Sequence, residues 1–359
     1  MFPYLLSYTK MKVLVTGGAG FVGSHVCEFY ANRGEEVVCY DNLSRGALLK
    51  KSITIDHNWN FLKKFSNVKR VKDDIRNLEG LISVMKDVDL VIHTAAQTAV
   101  TTSVEDPRTD FEVNALGTFN VLEAARLSGS DPALIYCSTN KVYGENVNTI
   151  EVKEGKTQYS FDDKKFQNGI PEDFPIDSVG HSPYGDSKLA GDQYVRDWCE
   201  TYGLRTLAFR MSCIYGTRQF GFEDQGWVAH FVISSMLGRP LKIYGDGKQV
   251  RDILFVTDLV NAYDSGYKKI DKIKGRVYNI GGGKNNNISL LELLEILENL
   301  GLKPKYDFSN WRPSDQKVFI ADISKAKKDF SWEPKISAKE GIGKLFDWVK
   351  ENKDTVMSL

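Results

Sequence analysis

The fold is decided by VLVTGGAGFVG, residues Val13–Gly23. A β-branched apolar run leads into a glycine cluster, and an apolar helical pattern follows from Phe21. In a strand–turn–helix context, such glycines permit a tight turn, let a pyrophosphate approach the backbone, and allow the helix to pack closely on the strand. The free N–H groups at the start of the helix attract an anion. We therefore predict that a dinucleotide contacts Gly17, Gly20, Phe21, Val22 and Gly23.

The second strand, Glu36–Asp41, ends on a carboxylate about 20 residues after the glycines, the position that hydrogen-bonds the ribose of a dinucleotide. Asp41 would repel a 2′-phosphate, so it favours NAD over NADP. Arg45 is the opposing feature and leaves NADP open, although Asn42 and Arg45 would also suit a simple turn.

Further strands are predicted at Val68–Val71, Asp89–Gln97 and Ala133–Thr139, with helical patterns between them. This alternation predicts an α/β protein with a doubly wound parallel Rossmann sheet and its ligand at the carboxyl ends of the strands. His93, inside an apolar strand, is predicted to be a core residue. The cofactor contacts predicted beyond the glycine stretch are Asp41, Asn42, Arg45, Asp74, Ile75, Ala95, Ala96, Gln97, Asn114, Tyr184 and Lys188.

After about residue 211 the pattern changes, and a smaller mixed α/β lobe is expected to close over the sheet edge. The polar region Glu145–Gly180 is predicted to be a long loop that acts as a lid. The predicted organisation is an N-terminal extension (1–10), a Rossmann domain (11–211 plus about 252–281), a substrate-binding lobe (212–251 and 282–351) and a C-terminal tail (352–359).

Composition narrows the function classes. The 359 residues carry 47 Lys plus Arg and 47 Asp plus Glu, so the formal net charge is zero. The sequence therefore predicts neither nucleic acid nor a membrane as a partner. Five scattered cysteines are typical of reduced thiols in a cytoplasmic protein. Cysteine and histidine spacings predict no metal site, and neither a membrane span nor a signal peptide is expected.

Tyr184 and Lys188 are four residues apart on a predicted helix, so their side chains share a face. A phenol is a poor base at neutral pH, but a nearby ammonium and a cationic nicotinamide would lower its pKa. The hydroxyls of Ser138 and Thr139, at the end of the fifth strand, can bond the same substrate oxygen. This set predicts removal of a hydroxyl proton while hydride passes to NAD. It argues against the alternative of a catalytically silent NAD-binding or redox-sensing protein.

The glycine run, the Ser138–Thr139 pair and the Tyr184–Lys188 pair resemble the extended short-chain dehydrogenase/reductase superfamily, in its nucleotide-sugar epimerase and dehydratase group. The resemblance extends from Met11 to about Val349. Within that group, the chain is most similar to enzymes that invert C2 of a CDP-hexose. The stretches that carry this similarity are Ser138–Gly144, His181–Gly185, Tyr215–Phe220, Asp224–Trp227, Gly245–Asp252, Tyr278–Gly282 and Ser314–Asp322.

The resemblance implies a permanently held NAD and no net redox change. Tyr184 would deprotonate the C2 hydroxyl while hydride passes from C2 to NAD, and the 2-keto sugar would take the hydride back on its other face. For CDP-paratose, which would become CDP-tyvelose, the missing oxygens at C3 and C6 imply a partly apolar pocket. A homo-oligomer, either a dimer or a tetramer, is implied through the helices near Val113–Ser128 and Tyr184–Tyr202.

Substrate residues are expected mainly in the smaller lobe. Arg251 and Arg312 are candidates to pair with the diphosphate. Cys213 stands where many relatives place asparagine or serine against the substrate, which leaves those contacts open. The predicted substrate contacts are Asn140, Cys213, Gln219, Asp224, Gln225, Lys248, Arg251, Arg312 and Asp315.

Two other enzyme classes share much of this machinery. A 4,6-dehydratase would need an acidic pair after the threonine, where this chain has Asn140 and Lys141, so that class is disfavoured. A 4-epimerase of UDP- or CDP-sugars uses the same Tyr–Lys pair and differs only in how the sugar ring is placed. This second alternative stays open.

Overall fold

The computed structural model describes residues 10–48, 56–312 and 315–357. Its strands are β1 (Lys12–Thr16), β2 (Glu36–Asp41), β3 (Val68–Lys72), β4 (Leu90–His93), β5 (Ala133–Thr139), β6 (Val152–Glu154), β7 (Tyr159–Phe161), β8 (Thr206–Met211), β9 (Cys213–Tyr215), β10 (Pro240–Tyr244), β11 (Val250–Phe255), β12 (Arg276–Ile280), β13 (Asn287–Ser289), β14 (Lys305–Ser309) and β15 (Val318–Phe319).

The helices are α1 (Phe21–Asn32), α2 (Arg45–Leu48), α3 (Asp56–Phe61), α4 (Leu78–Val84), α5 (Val100–Glu105), α6 (Pro107–Phe111), α7 (Gly117–Leu127), α8 (Ser182–Tyr202), α9 (Trp227–Met236), α10 (Val256–Tyr267), α11 (Ile270–Ile273), α12 (Leu290–Asn299), α13 (Ser324–Phe330), α14 (Ala338–Glu351) and α15 (Lys353–Met357). A π-helical turn at Glu112–Leu116 joins α6 to α7. No helix in the described ranges is long and apolar enough to cross a membrane.

Seven parallel strands form the central sheet, in the order β3–β2–β1–β4–β5–β8–β12. β1 shows why the sheet has a helical layer on each face. Val13 and Val15 pack into one buried cluster and Leu14 into another, because successive strand residues point to opposite faces. The predicted doubly wound parallel sheet is confirmed.

The smaller lobe has its own core. β9, β13 and β15 pair with β11, and β10 pairs with β14 in a separate two-stranded sheet. Helices α9, α12 and α14 contribute residues such as Val232, Leu293 and Leu345 to one buried cluster. β11 belongs to this lobe by its pairing and crosses the predicted domain boundary at residue 252.

Two predicted irregular segments are more ordered than expected. In Glu145–Gly180, the β6–β7 hairpin forms, and Phe166 and Ile170 are buried with Tyr143 and Phe319. The prediction of a long loop is therefore wrong here, because the segment supplies apolar side chains to the core. The predicted tail forms α15, whose Val356 is buried.

Candidate active site

The carboxyl ends of the parallel strands open into one cleft, the dinucleotide cleft, with a volume of about 1080 Å³ including its mouth. Its walls bring together all but three of the predicted cofactor residues, as strand ends of a parallel sheet should. It is lined by Gly17, Gly20, Phe21, Val22, Gly23, Tyr40, Asp41, Asn42, Ser44, Arg45, Asp73, Asp74, Ile75, Thr94, Ala95, Ala96, Gln97, Thr98, Val113, Gln219 and Gln225.

The glycine turn fits the close approach of a dinucleotide. Gly17 has φ +68°, and a Cβ added there would lie 2.6 Å from the backbone nitrogen of Ala95. Gly20 is the N-cap of α1, and as a glycine it has no side chain that could accept hydrogen bonds from the first turn of the helix. The N–H groups of this turn are therefore available to an anionic ligand.

Asp41 organises the same turn. Its carboxylate accepts hydrogen bonds from the backbone N–H groups of Ala19 (3.0 Å) and Leu43 (2.8 Å). Burial raises the pKa of Asp41, while these backbone hydrogen bonds lower it. On the neighbouring strand end, Asp74 accepts a hydrogen bond from Asn42 at 2.7 Å, and its hydrogen bond with Arg76 lowers its pKa to about 2.

Arg45, the residue that left NADP open, is engaged elsewhere. Its guanidinium donates to the backbone oxygen of Phe220 (2.8 Å) and to the side-chain oxygen of Gln225 (3.2 Å). Gln225 in turn hydrogen-bonds Thr98 across the cleft. The Arg45 side chain therefore joins the two lobes, and the half-buried Asp41 carboxylate and the glycine turn fit NAD.

Asn114 differs from its predicted role. It is fully buried, and its amide donates to the backbone oxygen of Gln97 (3.0 Å), to Asp110 (3.0 Å) and to Ser187 (3.2 Å). Its side-chain oxygen accepts the N–H of Gln97 at 2.9 Å. Because all of its polar atoms are used in this network and the residue lies outside the cleft lining, Asn114 positions the loop after β4 against α8.

Tyr184 and Lys188 lie on α8, which begins with Pro183 in its first turn and ends at Gly203, whose φ is +78°. Neither residue lines the dinucleotide cleft. A hydrogen bond with Thr139 lowers the pKa of Tyr184, but burial raises it more, to about 12. Asp110 and Cys137 also raise the pKa of Tyr184, and the predicted lowering by Lys188 is not among the influences on this phenol.

Lys188 is buried, and its ammonium lies 4.1 Å from the centroid of the Tyr136 ring. Burial lowers its pKa to about 8, while Cys137, Asp110 and Asp192 act in the opposite direction. Since this value is above neutral pH, the group is mostly a cation at pH 7 and can stabilise negative charge nearby.

Ser138 and Thr139 have different surroundings. The Ser138 hydroxyl donates to Asp192 at 2.8 Å, and Asp192 forms a buried two-point ion pair with Arg210 at 3.0 Å. Ser138 therefore uses its only proton in a short hydrogen bond to Asp192 on α8. The Thr139 hydroxyl makes only a longer hydrogen bond of 3.3 Å, to the side-chain oxygen of Asn140, which makes Thr139 the better candidate to donate to a substrate oxygen. His93 is a core residue as predicted, with Thr16 at 2.7 Å and Thr118 at 3.0 Å from its ring nitrogens.

A second cleft lies in the smaller lobe and holds three of the predicted substrate residues, Arg251, Arg312 and Asp315. Arg251 donates to Asp315 at 2.6 Å, and Arg312 pairs with Asp224 at 2.9 Å on the rim. The cleft is lined by Glu223, Trp227, His230, Phe231, Lys242, Tyr244, Gln249, Arg251, Leu290, Arg312 and Asp315.

Five predicted substrate residues lie elsewhere. Gln219 and Gln225 line the dinucleotide cleft. The ammonium of Lys248 donates to the exposed Glu154 at 2.6 Å, away from both clefts. Asn140 is buried directly after β5, beside Thr139. Cys213, on β9, is influenced electrostatically by Arg251 and Lys141, and burial raises its pKa.

Several residues of the two clefts were not predicted from the sequence. Tyr40, at the end of β2, and Thr94 and Thr98, in the loop after β4, are sequence neighbours of predicted contacts, and that position could have indicated them. In the second cleft, Trp227, Tyr244 and Gln249 come from a helix, a strand and a turn with no shared sequence pattern. Trp227 and Gln249 lie in stretches that carried the resemblance, which could have indicated them, whereas Tyr244 lies just outside these stretches.

A glycine turn below a parallel sheet, with a Thr–Tyr–Lys set beside it, defines a dinucleotide-dependent enzyme that acts on a hydroxyl. The sequence matches the NAD dependent epimerase/dehydratase family over residues 13–281. The chain is 41% identical to CDP-paratose 2-epimerase of Salmonella typhi, over 94% of this chain and 99% of that protein.

Two solved structures are also similar. UDP-glucose 4-epimerase of Thermotoga maritima with UDP-glucose gives a TM-score of 0.79 at 30% identity, covering 96% of this chain and 100% of that one. UDP-glucuronic acid 4-epimerase of Bacillus cereus, with UDP-glucuronic acid and NAD, gives 0.78 at 30% identity, covering 95% and 99%.

The chain therefore belongs to the NAD dependent epimerase/dehydratase family. The predicted superfamily, NAD as the cofactor, and the class of NAD-dependent nucleotide-sugar epimerase are confirmed.

Proposed function

We propose that this protein inverts C2 of a CDP-linked hexose, with CDP-paratose as substrate and CDP-tyvelose as product. The observation that carries the proposal is the convergence of Thr139, Tyr184 and Lys188 where α8 packs on the end of β5. Thr139 lowers the pKa of Tyr184, and the Lys188 ammonium lies 4.1 Å from the ring centroid of Tyr136 on β5. The similarity to CDP-paratose 2-epimerase supports the choice of carbon and nucleotide.

Thr139 and Tyr184 would hold the reacting C2 oxygen. Tyr184 accepts the hydroxyl proton only as phenolate, and at neutral pH burial keeps the phenol protonated. Its role as base therefore depends on cationic groups that lower its pKa, of which Lys188 is the one on its own helix. In the return half of the reaction, Tyr184 gives the proton back to the same oxygen.

The glycine turn, Asp41 and Asp74 would hold NAD, and Arg45 with Gln225 would close the cleft over it. The chemistry that NAD supplies when bound is the removal and return of a hydride at the sugar carbon. Inversion requires the ketone to turn its other face before the hydride returns, so the sugar pocket must leave the ring free to rotate.

The nucleotide part of the substrate would occupy the second cleft. Arg251 presents a guanidinium there that suits a diphosphate, and it already touches Asp315. Trp227, Tyr244 and Leu290 give the cleft an aromatic and aliphatic wall suited to a planar base.

Self-association through α5–α8 is part of the proposal. Phe111, Leu116, Leu127, Tyr194 and Tyr202 are large apolar side chains that remain exposed on these helices and on the π-helical turn. A patch of this kind is typical of a protein interface. The five free cysteines support the predicted cytoplasmic location.

The test is NMR of the purified protein with CDP-paratose, CDP-glucose or UDP-glucose, in deuterated water without added NAD. Inversion at C2 without deuterium incorporation is expected for CDP-paratose, because the hydride that leaves the carbon also returns to it. Inversion at C4 would overturn the substrate assignment and leave the Tyr–Lys chemistry intact. Absence of turnover on all three sugars, with NAD present, would overturn the proposal.

A further inference from the structure

We propose that Lys141 is a sugar-binding residue whose ammonium donates a hydrogen bond to an oxygen of the hexose ring, and that it sets which hexose is accepted. This inference rests on the proposed function. It begins with the place of Lys141 in the fold, immediately after the Thr139–Asn140 end of β5.

The backbone of Lys141 is fixed beside the reacting groups. Its N–H donates to the Thr139 hydroxyl oxygen at 3.2 Å. On the other side, a Cβ added to Gly185 would lie 3.1 Å from the Lys141 carbonyl oxygen. Lys141 is therefore held between Thr139 and the first turn of α8, next to Tyr184.

The side chain faces the other lobe. The groups that act on its ammonium are Arg251, Asp315 and Cys213, all from the smaller lobe. Burial lowers the pKa of Lys141, Arg251 lowers it further, and Asp315 raises it. Lys141 thus bridges the catalytic end of β5 and the second cleft, where the substrate ring has to lie if its nucleotide occupies that cleft.

No hydrogen bond or ion pair to the Lys141 ammonium is found within the described ranges. Asp315, the carboxylate that attracts it, is already bound by Arg251 at 2.6 Å. Lys141 is half-buried rather than sealed in the core, so a ligand can reach its ammonium. The three N–H donors of that ammonium need acceptors when a ligand displaces the water around them. A sugar oxygen supplies the missing acceptor, whereas a deoxygenated ring position in its place does not.

The experiment measures binding rather than turnover. In the Tyr184→Phe background, calorimetry compares CDP-paratose with CDP for the parent, Lys141→Met, and Lys248→Met as a matched control. Lys248 is a lysine of the smaller lobe that pairs with exposed Glu154. Lys141→Met is expected to weaken CDP-paratose binding about tenfold or more while changing CDP binding less than about twofold. Lys248→Met changes neither.

Equal weakening of CDP and CDP-paratose by Lys141→Met would assign Lys141 to the diphosphate and overturn the inference, as would no change in either. If the parent binds no CDP-sugar, the proposed substrate fails, and the same comparison with UDP-glucose and UDP decides the role of Lys141. Bound NAD, measured by absorbance after denaturation, is expected to stay constant in all variants and shows that they are folded.

Discussion

The dinucleotide cleft is formed mainly by backbone, whereas the second cleft is formed mainly by side chains. The dinucleotide cleft is shaped by backbone: a glycine turn, the ends of parallel strands, and carboxylates such as Asp41 that accept backbone N–H groups. The second cleft is shaped by long side chains that pair with one another, as Arg251 does with Asp315 and Arg312 with Asp224.

We expect the Rossmann domain to carry the catalytic chemistry and the second cleft to carry the recognition of the substrate. A wall of backbone tolerates few residue types, because glycine is required by φ and by close approach. A wall of paired side chains can be changed one residue at a time. Tyr184 and Lys188 belong to the backbone-defined region, because their helix α8 packs directly on β5 and β8 of the central sheet.

The largest expected effect is a loss of catalysis that leaves both clefts unchanged. Tyr184→Phe removes the hydroxyl that is proposed to exchange the substrate proton, so kcat should fall by about 10²- to 10⁴-fold. Tyr194→Phe, at an exposed tyrosine of the same helix, is the control and should change kcat less than twofold. Bound NAD should be unchanged in both, and a Tyr184→Phe enzyme with normal kcat would contradict the assignment of the base.

The next effect tests the backbone wall. Gly17→Ala puts a Cβ 2.6 Å from the Ala95 nitrogen at φ +68°, whereas Gly34→Ala has a similar φ of +82° with no atom within 4 Å. Gly34→Ala should lower the free energy of unfolding by about 1 kcal/mol, from the positive φ alone. Gly17→Ala should cost more and release NAD, as measured by urea unfolding and cofactor content. Equal losses in the two variants would show that close approach is unimportant.

The side-chain wall should respond differently. Arg251→Met removes a guanidinium that faces the second cleft, so KM for the nucleotide sugar should rise about tenfold or more with bound NAD unchanged. Lys242→Met, at another cation of the same cleft, is the comparison for a general loss of positive charge. Loss of NAD in Arg251→Met would contradict the assignment of NAD and the nucleotide sugar to separate clefts.

The effect that is smallest near neutral pH concerns acid stability, at His93 of β4, next to the dinucleotide cleft. Burial lowers the pKa of His93 to about 3, so the folded protein keeps it neutral where the unfolded chain takes up a proton, near pH 6.5. Stability is therefore lost as pH falls from 6.5 toward 3, by about 1.4 kcal/mol per pH unit.

His93→Gln should reduce the dependence of the free energy of unfolding on pH by about 1.4 kcal/mol per pH unit. Urea unfolding measured between pH 7 and pH 5 checks this prediction. The slope is the informative quantity, because the substitution also removes hydrogen bonds to Thr16 and Thr118 at every pH. Identical slopes for the two proteins would contradict a neutral buried His93.

The sequence predicted the dinucleotide cleft almost residue by residue and the second cleft poorly. Glycine turns and strand-end carboxylates leave a local signature, because their function is tied to backbone conformation. The buried network of Asn114 was not predicted because sequence cannot show that its amide is bonded to Gln97, Asp110 and Ser187. The position of Lys248 was not predicted because its partner, Glu154, lies in a hairpin that the sequence did not indicate.

Tyr184, Lys188 and Asp192 follow one another at four-residue intervals along α8, so they span about 12 Å of one rigid rod at a rise of about 1.5 Å per residue. A rod inherits its spacing from helix geometry rather than from neighbouring loops. Evolution can therefore rebuild the smaller lobe for a new sugar while the proton-handling groups keep their mutual distances. The same spacing of proton-handling groups on α8 can serve many substrates, and selection for a new substrate acts on the smaller lobe.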